Sequence, residues 1–387
     1  MAAEATPSTP PAAISPALFV GFAVASIGGP LALPTLFPGT AGDGVDSAGL
    51  VVLLAVAVFA APLAIWLSYS RRVVSPGGLS AFVATAAGRR AALVHGWIWS
   101  IAYFLYLPYT VTFVVYDLLT PVFPGIADYR RALELVIPVA LVLVALAPVR
   151  LVLAGLGLLA AAQLVLLLVL AGVEFSHTST TLASAPPFDT TARATGSTAL
   201  LFVCASLPLY LGAEVRGGAR TVRRGLTGAV AAVAVCFLVA AIPLARVPER
   251  LLDSAVPGAA IAQAYSGRGL AVAVGLLTAA STLALIVAEY LALARLLHWL
   301  HGPPVRRALA WIAVPFVAAD AISLADPKGF YDNLLQPSLG ALFVSLFIVS
   351  AVFPRFRPGP VGVVAAVIGS TLAGYGFYTV VAGGAAT

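Results

Sequence analysis

Two apolar stretches of this 387-residue chain are interrupted at their centres by residues that cannot continue a helix. The first runs from Ser15 to Phe37 and contains Ser26-Ile27-Gly28-Gly29-Pro30. The second runs from Gly196 to Ala213 and contains Cys204-Ala205-Ser206-Leu207-Pro208. Pro30 has no N–H for the Ser26 carbonyl, and Pro208 none for that of Cys204, so each helix loses an internal bond near its middle. In lipid such a gap persists only where the freed groups face protein or a watery cavity. Matched interruptions in two halves of a membrane chain point to a ligand site at the bilayer midplane.

Composition sets the class. The chain is 61% hydrophobic and 9% charged, whereas roughly a quarter of a soluble globular domain is charged. Its net charge of +6 is scattered between apolar runs and forms no basic patch, so the expected partners are the lipid bilayer and a small molecule, not nucleic acid. Cys204 and Cys236 both lie in apolar runs, which implies no disulfide framework. Residues 1–13 are rich in Ala, Pro, Ser and Thr and lack Lys and Arg. They read as a disordered tail, without the basic start of a signal peptide.

Measured against the ~20 residues a span requires, the apolar runs predict an all-α membrane protein of eleven helices. They lie near 15–38, 47–70, 92–119, 132–148, 150–173, 196–214, 226–245, 269–300, 308–324, 333–353 and 359–382, in one transmembrane domain over 14–387. Pro148 and Arg150 separate the fourth helix from the fifth. Of the 21 Lys and Arg residues, 14 fall in alternate loops, from Arg71 and Arg72 to Arg355 and Arg357. That bias predicts a cytoplasmic N-terminus in the cell membrane and, with an odd count, an extracytoplasmic C-terminus.

Several segments together resemble the amino acid–polyamine–organocation (APC) superfamily of permeases. After the second helix comes SYSRRVVSPGGLSAFVATAAGRR, in which Gly77 and Gly78 precede Phe82 and a short amphipathic helix. The sixth helix ends in AEVRGGARTVRRG, an acid followed by bases, and Arg295 stands where an arginine commonly closes the eighth helix. The Gly-rich first helix is similar to the unwound segment of that family. The resemblance spans Ser15 to Arg357. It implies a five-plus-five inverted repeat over 14–173 and 196–354, with helices one and six broken and helix 359–382 a peripheral extra. The chain departs from the pattern in the sixth helix, where Phe202-Val203-Cys204-Ala205-Ser206 fills the usual glycine position and lacks the usual acid.

The residues expected to hold a substrate are therefore Ser26, Ile27, Gly28 and Gly29, with Cys204, Ala205 and Ser206 opposite. Amides of the half-helix after Gly29 would meet an anionic group, and freed carbonyls of the sixth helix an ammonium. Tyr109, beside Tyr103 and Tyr106 on the third helix, is a candidate wall. Trp97 and Trp99 are expected to anchor the interface. The fifth helix has no lysine, only Gln163, where proton-coupled relatives place one. Ser281 and Thr282 stand near the depth at which sodium-coupled relatives bind the ion, although such hydroxyls often bond their own backbone. Glu289 is a possible proton site, or a partner of Arg295. Asp117 and Asp320, near outer helix ends, are expected to be wet. The coupling ion is thus Na⁺ or H⁺, or absent, and no cofactor or metal site is expected.

Other classes find little support. An intramembrane enzyme would want clustered acids, or a nucleophile and base at one depth; the four histidines form no such constellation. A membrane scaffold or receptor needs no broken helices. The expected function is a permease for a small, neutral amino acid or related amine, with polyamines and other organocations as the alternative. The neutral preference rests on Glu289 lying to the cytoplasmic side of the pocket.

Overall fold

The computed structural model describes residues 13–178 and 187–384. The fold is all-helical, with a single bridge, between Ile14 and Val215, among the described residues. The expected tail lies outside them except for Ala13, whose carbonyl accepts from Arg150 Nε at 3.0 Å.

The first interrupted stretch forms two half-helices, α1 (Pro16–Ala25) and α2 (Ala32–Ala41). Ser15 caps α1 through its side chain and Pro16 opens it, where a missing N–H has no consequence. The chain leaves α1 through Gly28 and Gly29, at φ 63° and 76°, a backbone region that side chains other than glycine rarely tolerate. Next comes α3 (Ala48–Tyr69). Helix α4 (Gly78–Phe113) is bent at Gly88 (φ 86°, ψ 170°), so its start is a separate short helix, as expected after Gly77 and Gly78. Pro148 stands between α5 (Arg130–Leu146) and α6 (Val149–His177).

The second interrupted stretch differs in detail from the first. Its first half is α7 (Phe188–Leu200), and its remainder, Val203–Glu214, is a 3₁₀ helix. The break thus falls at Leu201–Phe202, ahead of the expected Cys204–Ser206. In the tighter i→i+3 pattern Pro208 deprives Ala205, rather than Cys204, of a donor. The chain continues through α8 (Gly218–Leu244), α9 (Pro257–Ser266), α10 (Arg268–His301), α11 (Val305–Ser323), α12 (Pro327–Phe356) and α13 (Pro360–Gly384).

Among the described residues, eight helical stretches are long and apolar enough to cross a membrane. A count of eleven also needs α5, which has 17 residues, α11, whose 19 residues include Arg306, Arg307 and Asp320, and the interrupted α1–α2 pair. Side chains such as Leu158, Leu151 and Val314 project from the surface, where lipid would cover them. The centre is packed closely enough to need small residues. A Cβ on Gly21 of α1 would lie 2.8 Å from the Gly157 Cα of α6, an approach that small residues permit between membrane helices.

At the arginine-rich end the chain is tied shut. Arg295 of α10 grips Glu214 with two hydrogen bonds, Nε to Oε1 at 2.6 Å and Nη2 to Oε2 at 3.1 Å. Ile14 pairs with the strand-like turn beside it, its N–H donating to the Glu214 carbonyl and its carbonyl accepting from Arg216. Arg295 is therefore the partner of Glu214, not of Glu289. Trp99 is buried against Tyr103 and Tyr210 rather than at an interface; Trp97 remains half exposed.

Candidate functional site

The two interruptions meet. A Cβ on Gly28 would stand 3.2 Å from the Leu201 carbonyl oxygen, one residue past the end of α7. From this junction a cavity of about 410 Å³ extends toward Thr40 and Ser197, away from the arginine-rich end. Its floor is Gly28 with Leu201, Val203 and Cys204. The N-terminal end of α2, Ala32 and Leu33, forms one wall and presents the positive end of that half-helix dipole.

Two further walls follow helical spacing. Thr282, Leu285 and Glu289 lie on one face of α10, and Tyr103, Tyr106, Tyr109 and Phe113 on one face of α4. The Tyr109 hydroxyl donates to that of Tyr331 of α12 at 3.1 Å, and their rings stack 4.5 Å apart. That pair stands at the same end as Asp117 and Lys328, opposite the latch at Glu214.

The sequence-predicted residues divide. Gly28, Cys204 and Tyr109 line the cavity, as do Thr282 and Glu289 among the ion candidates. Ser26, Ile27, Ala205 and Ser206 are wholly buried behind its surface. Ser26 turns its hydroxyl back to the Ala23 carbonyl. Gly29 lies against Ser281, whose hydroxyl donates to Gln163 Oε1 at 2.8 Å. Thr282 donates to the Thr278 carbonyl of its own helix, the local bond anticipated for such hydroxyls.

Glu289 departs furthest from expectation. It lies within the cavity wall rather than below it, it is fully buried, and neither carboxylate oxygen has a hydrogen-bond partner. It is the one charged side chain lining the cavity among the described residues. Asp320 is likewise buried and without partner rather than wet. Its neighbour Glu134 accepts from Thr112, Tyr116 and Ser323.

Residues of the last two helices were not foreseen. Leu335, Ser338, Leu339 and Leu342 of α12 line the cavity, and so do Thr379 and Val380 of α13. Where a helix segment is apolar on most of its faces, spacing does not tell a cavity from lipid.

No family model matches the sequence, and no curated protein matches it. Solved structures do match the fold. One is MhsT in complex with L-phenylalanine, 14% identical with a TM-score of 0.63, the match covering 94% of this chain and 98% of that one. Another is a mutant manganese transporter of Eremococcus coleocola, 14% identical with a TM-score of 0.57, covering 95% and 87% of the two chains. The chain is an all-helical membrane protein with a transporter fold.

Proposed function

We propose that the chain is a secondary transporter that moves a small amine-bearing molecule across the cytoplasmic membrane by alternating access. The observation behind this reading is the junction of Gly28 with Leu201, where two interrupted helices open on one cavity. Breaks in corresponding helices put free backbone groups beside a ligand. The five-plus-five inverted repeat fits this placement, with α1–α6 and α7–α12 as its halves, and so does APC-type membership. The arginine bias favours a cytoplasmic N-terminus and an extracytoplasmic C-terminus. The cavity then lies on the extracytoplasmic side of the Glu214–Arg295 pair.

Glu289 shifts the substrate reading from a neutral amino acid toward an organic cation. An ionised carboxylate in an apolar wall is costly unless paired, and a substrate ammonium would supply the missing partner. A zwitterion could still place its carboxylate at the start of α2 and its ammonium near the Leu201 and Cys204 backbone. Coupling to Na⁺ through Thr282 and Ser281, or to H⁺ through Glu289, fits either substrate.

The deciding experiment is uptake into proteoliposomes of two matched pairs, leucine with isoamylamine and phenylalanine with phenethylamine. Within each pair the compounds differ only by the carboxylate; Na⁺ and pH gradients are varied. Saturable uptake of at least one compound supports the reading, and preference for the amines assigns the cation to Glu289. Absence of saturable uptake or exchange for all four would overturn it.

A further inference from the structure

The last helix, α13, stood apart from the repeat in the sequence, yet it reaches the cavity. Thr379 and Val380 form part of its wall. One turn earlier on the same face, the Tyr375 ring packs against Gly196 of α7. A Cβ at that glycine would come within 2.6 Å of the ring, so the absence of a side chain is what admits it. The Tyr375 hydroxyl donates to the Arg193 carbonyl at 3.1 Å and is 3.3 Å from Ser197 Oγ. Ser197 itself lines the cavity.

On the other side of this contact is an apolar groove between α3, α7 and α13, bordered by Leu54, Phe188 and Val367. All three are exposed, on a face that lipid would cover. The Tyr375–Gly196 contact therefore divides the cavity from the membrane. The segment it holds, α7, is the first half of an interrupted helix. Its lower end stops at Leu200, one residue short of the carbonyl that faces Gly28. An interrupted half-helix lacks the continuous hydrogen-bond ladder that fixes a full span, so its position depends on neighbours.

We propose that α13 is an integral wall of the substrate site and that Tyr375 is a positioning residue, holding α7 so that Ser197, Leu200 and Leu201 keep the cavity's shape. This inference rests on the cavity being the substrate site, and Cys204 tests that separately. Tyr375→Phe keeps the ring on Gly196 and removes both polar contacts. Loss of one or two hydrogen bonds that shape the site is expected to raise KM about fivefold while kcat changes less than about twofold. A purely structural role would instead lower the amount of folded protein and leave KM unchanged.

The direct test is alkylation of a Thr379→Cys variant by a membrane-impermeant maleimide, with modified positions separated by peptide mass spectrometry. The variant is expected to be modified at position 379, and a transported compound among leucine, isoamylamine, phenylalanine and phenethylamine is expected to slow it in parallel with Cys204. A Val367→Cys variant, on the lipid side of the same helix, is expected to resist. Protection of Cys204 without modification or protection at position 379, or an unchanged KM in Tyr375→Phe, overturns the role of α13 and leaves the cavity reading intact. Protection at neither position by any compound overturns both.

Discussion

Gly28 and Leu201 face each other so closely that a single added carbon on the glycine would lie 3.2 Å from the leucine carbonyl. They belong to different halves of the chain, and each marks the point where a helix stops inside the protein. The contact explains why the sequence places a glycine there. Gly28 holds a positive φ of 63° and admits a neighbouring backbone at the same time.

Gly28→Ala tests that relationship. An alanine would hold a left-handed conformation at a cost of about 1–2 kcal/mol and press on Leu201 and Leu33. Uptake is expected to fall about tenfold or more, on the reasoning that misplacing a binding group by about 1 Å is enough. Melting temperature and uptake at matched protein amounts check it; unchanged uptake would make the contact incidental. Gly29→Leu is a poorer test, because its side chain would also drive into Ser281.

The Glu214–Arg295 pair should govern closure at the arginine-rich end. Arg295 is 3% exposed and Glu214 16%. Removing one partner of a buried pair leaves an uncompensated charge, at about 3–5 kcal/mol for full burial. Glu214→Gln is therefore expected to lower thermal stability and to speed alkylation of Cys204 from the arginine-rich side. Arg295→Lys is likewise expected to speed it, since an ammonium cannot make the two parallel bonds. Melting curves and sided alkylation read both effects.

Much of this architecture was legible in the sequence, and the residues show why the rest was not. Gly28-Gly29-Pro30 stops a helix in any surroundings, so the first break was placed correctly. The second had only Pro208 as a marker. That segment is a 3₁₀ helix, and the break lies at Leu201, three residues before Cys204. Glu289 was visible as an intramembrane acid, but its place depended on which acid Arg295 would pair with. Glu214 took that partner. Thr379 and Val380 carried no signal, because a helix apolar on most of its faces does not reveal which face meets a cavity.

Close packing of α1 on α6 predicts an asymmetric pair of substitutions. A Cβ at Gly21 would lie 2.8 Å from backbone, whereas one at Gly157 would have nothing nearer than 3.4 Å. Gly21→Ala is expected to destabilise by about 1–3 kcal/mol, as overpacking does, and Gly157→Ala to be close to neutral. Thermal melting of the two variants decides it, and equal effects would contradict the geometry.

Glu289→Gln should separate stability from function. The wild-type carboxylate is buried with no partner, so replacing it by an uncharged amide is expected to leave stability unchanged or raise it by about 1 kcal/mol. Amine uptake is expected to fall about tenfold or more as the one charge in the wall among the described residues is lost, while that of the matched amino acid changes less. Equal losses for amine and amino acid would show that Glu289 does not read the substrate's charge.

The most direct measurement is the rate at which Cys204 is alkylated from each face of sealed vesicles, with and without each of the four probe compounds. Cys204 lies at the junction of the two interrupted helices and lines the cavity, and mass spectrometry separates it from Cys236. Alternating access to one site predicts modification from both faces, slowed on both by the same transported compound. Modification from one face only, or rates that no compound alters, would contradict the account.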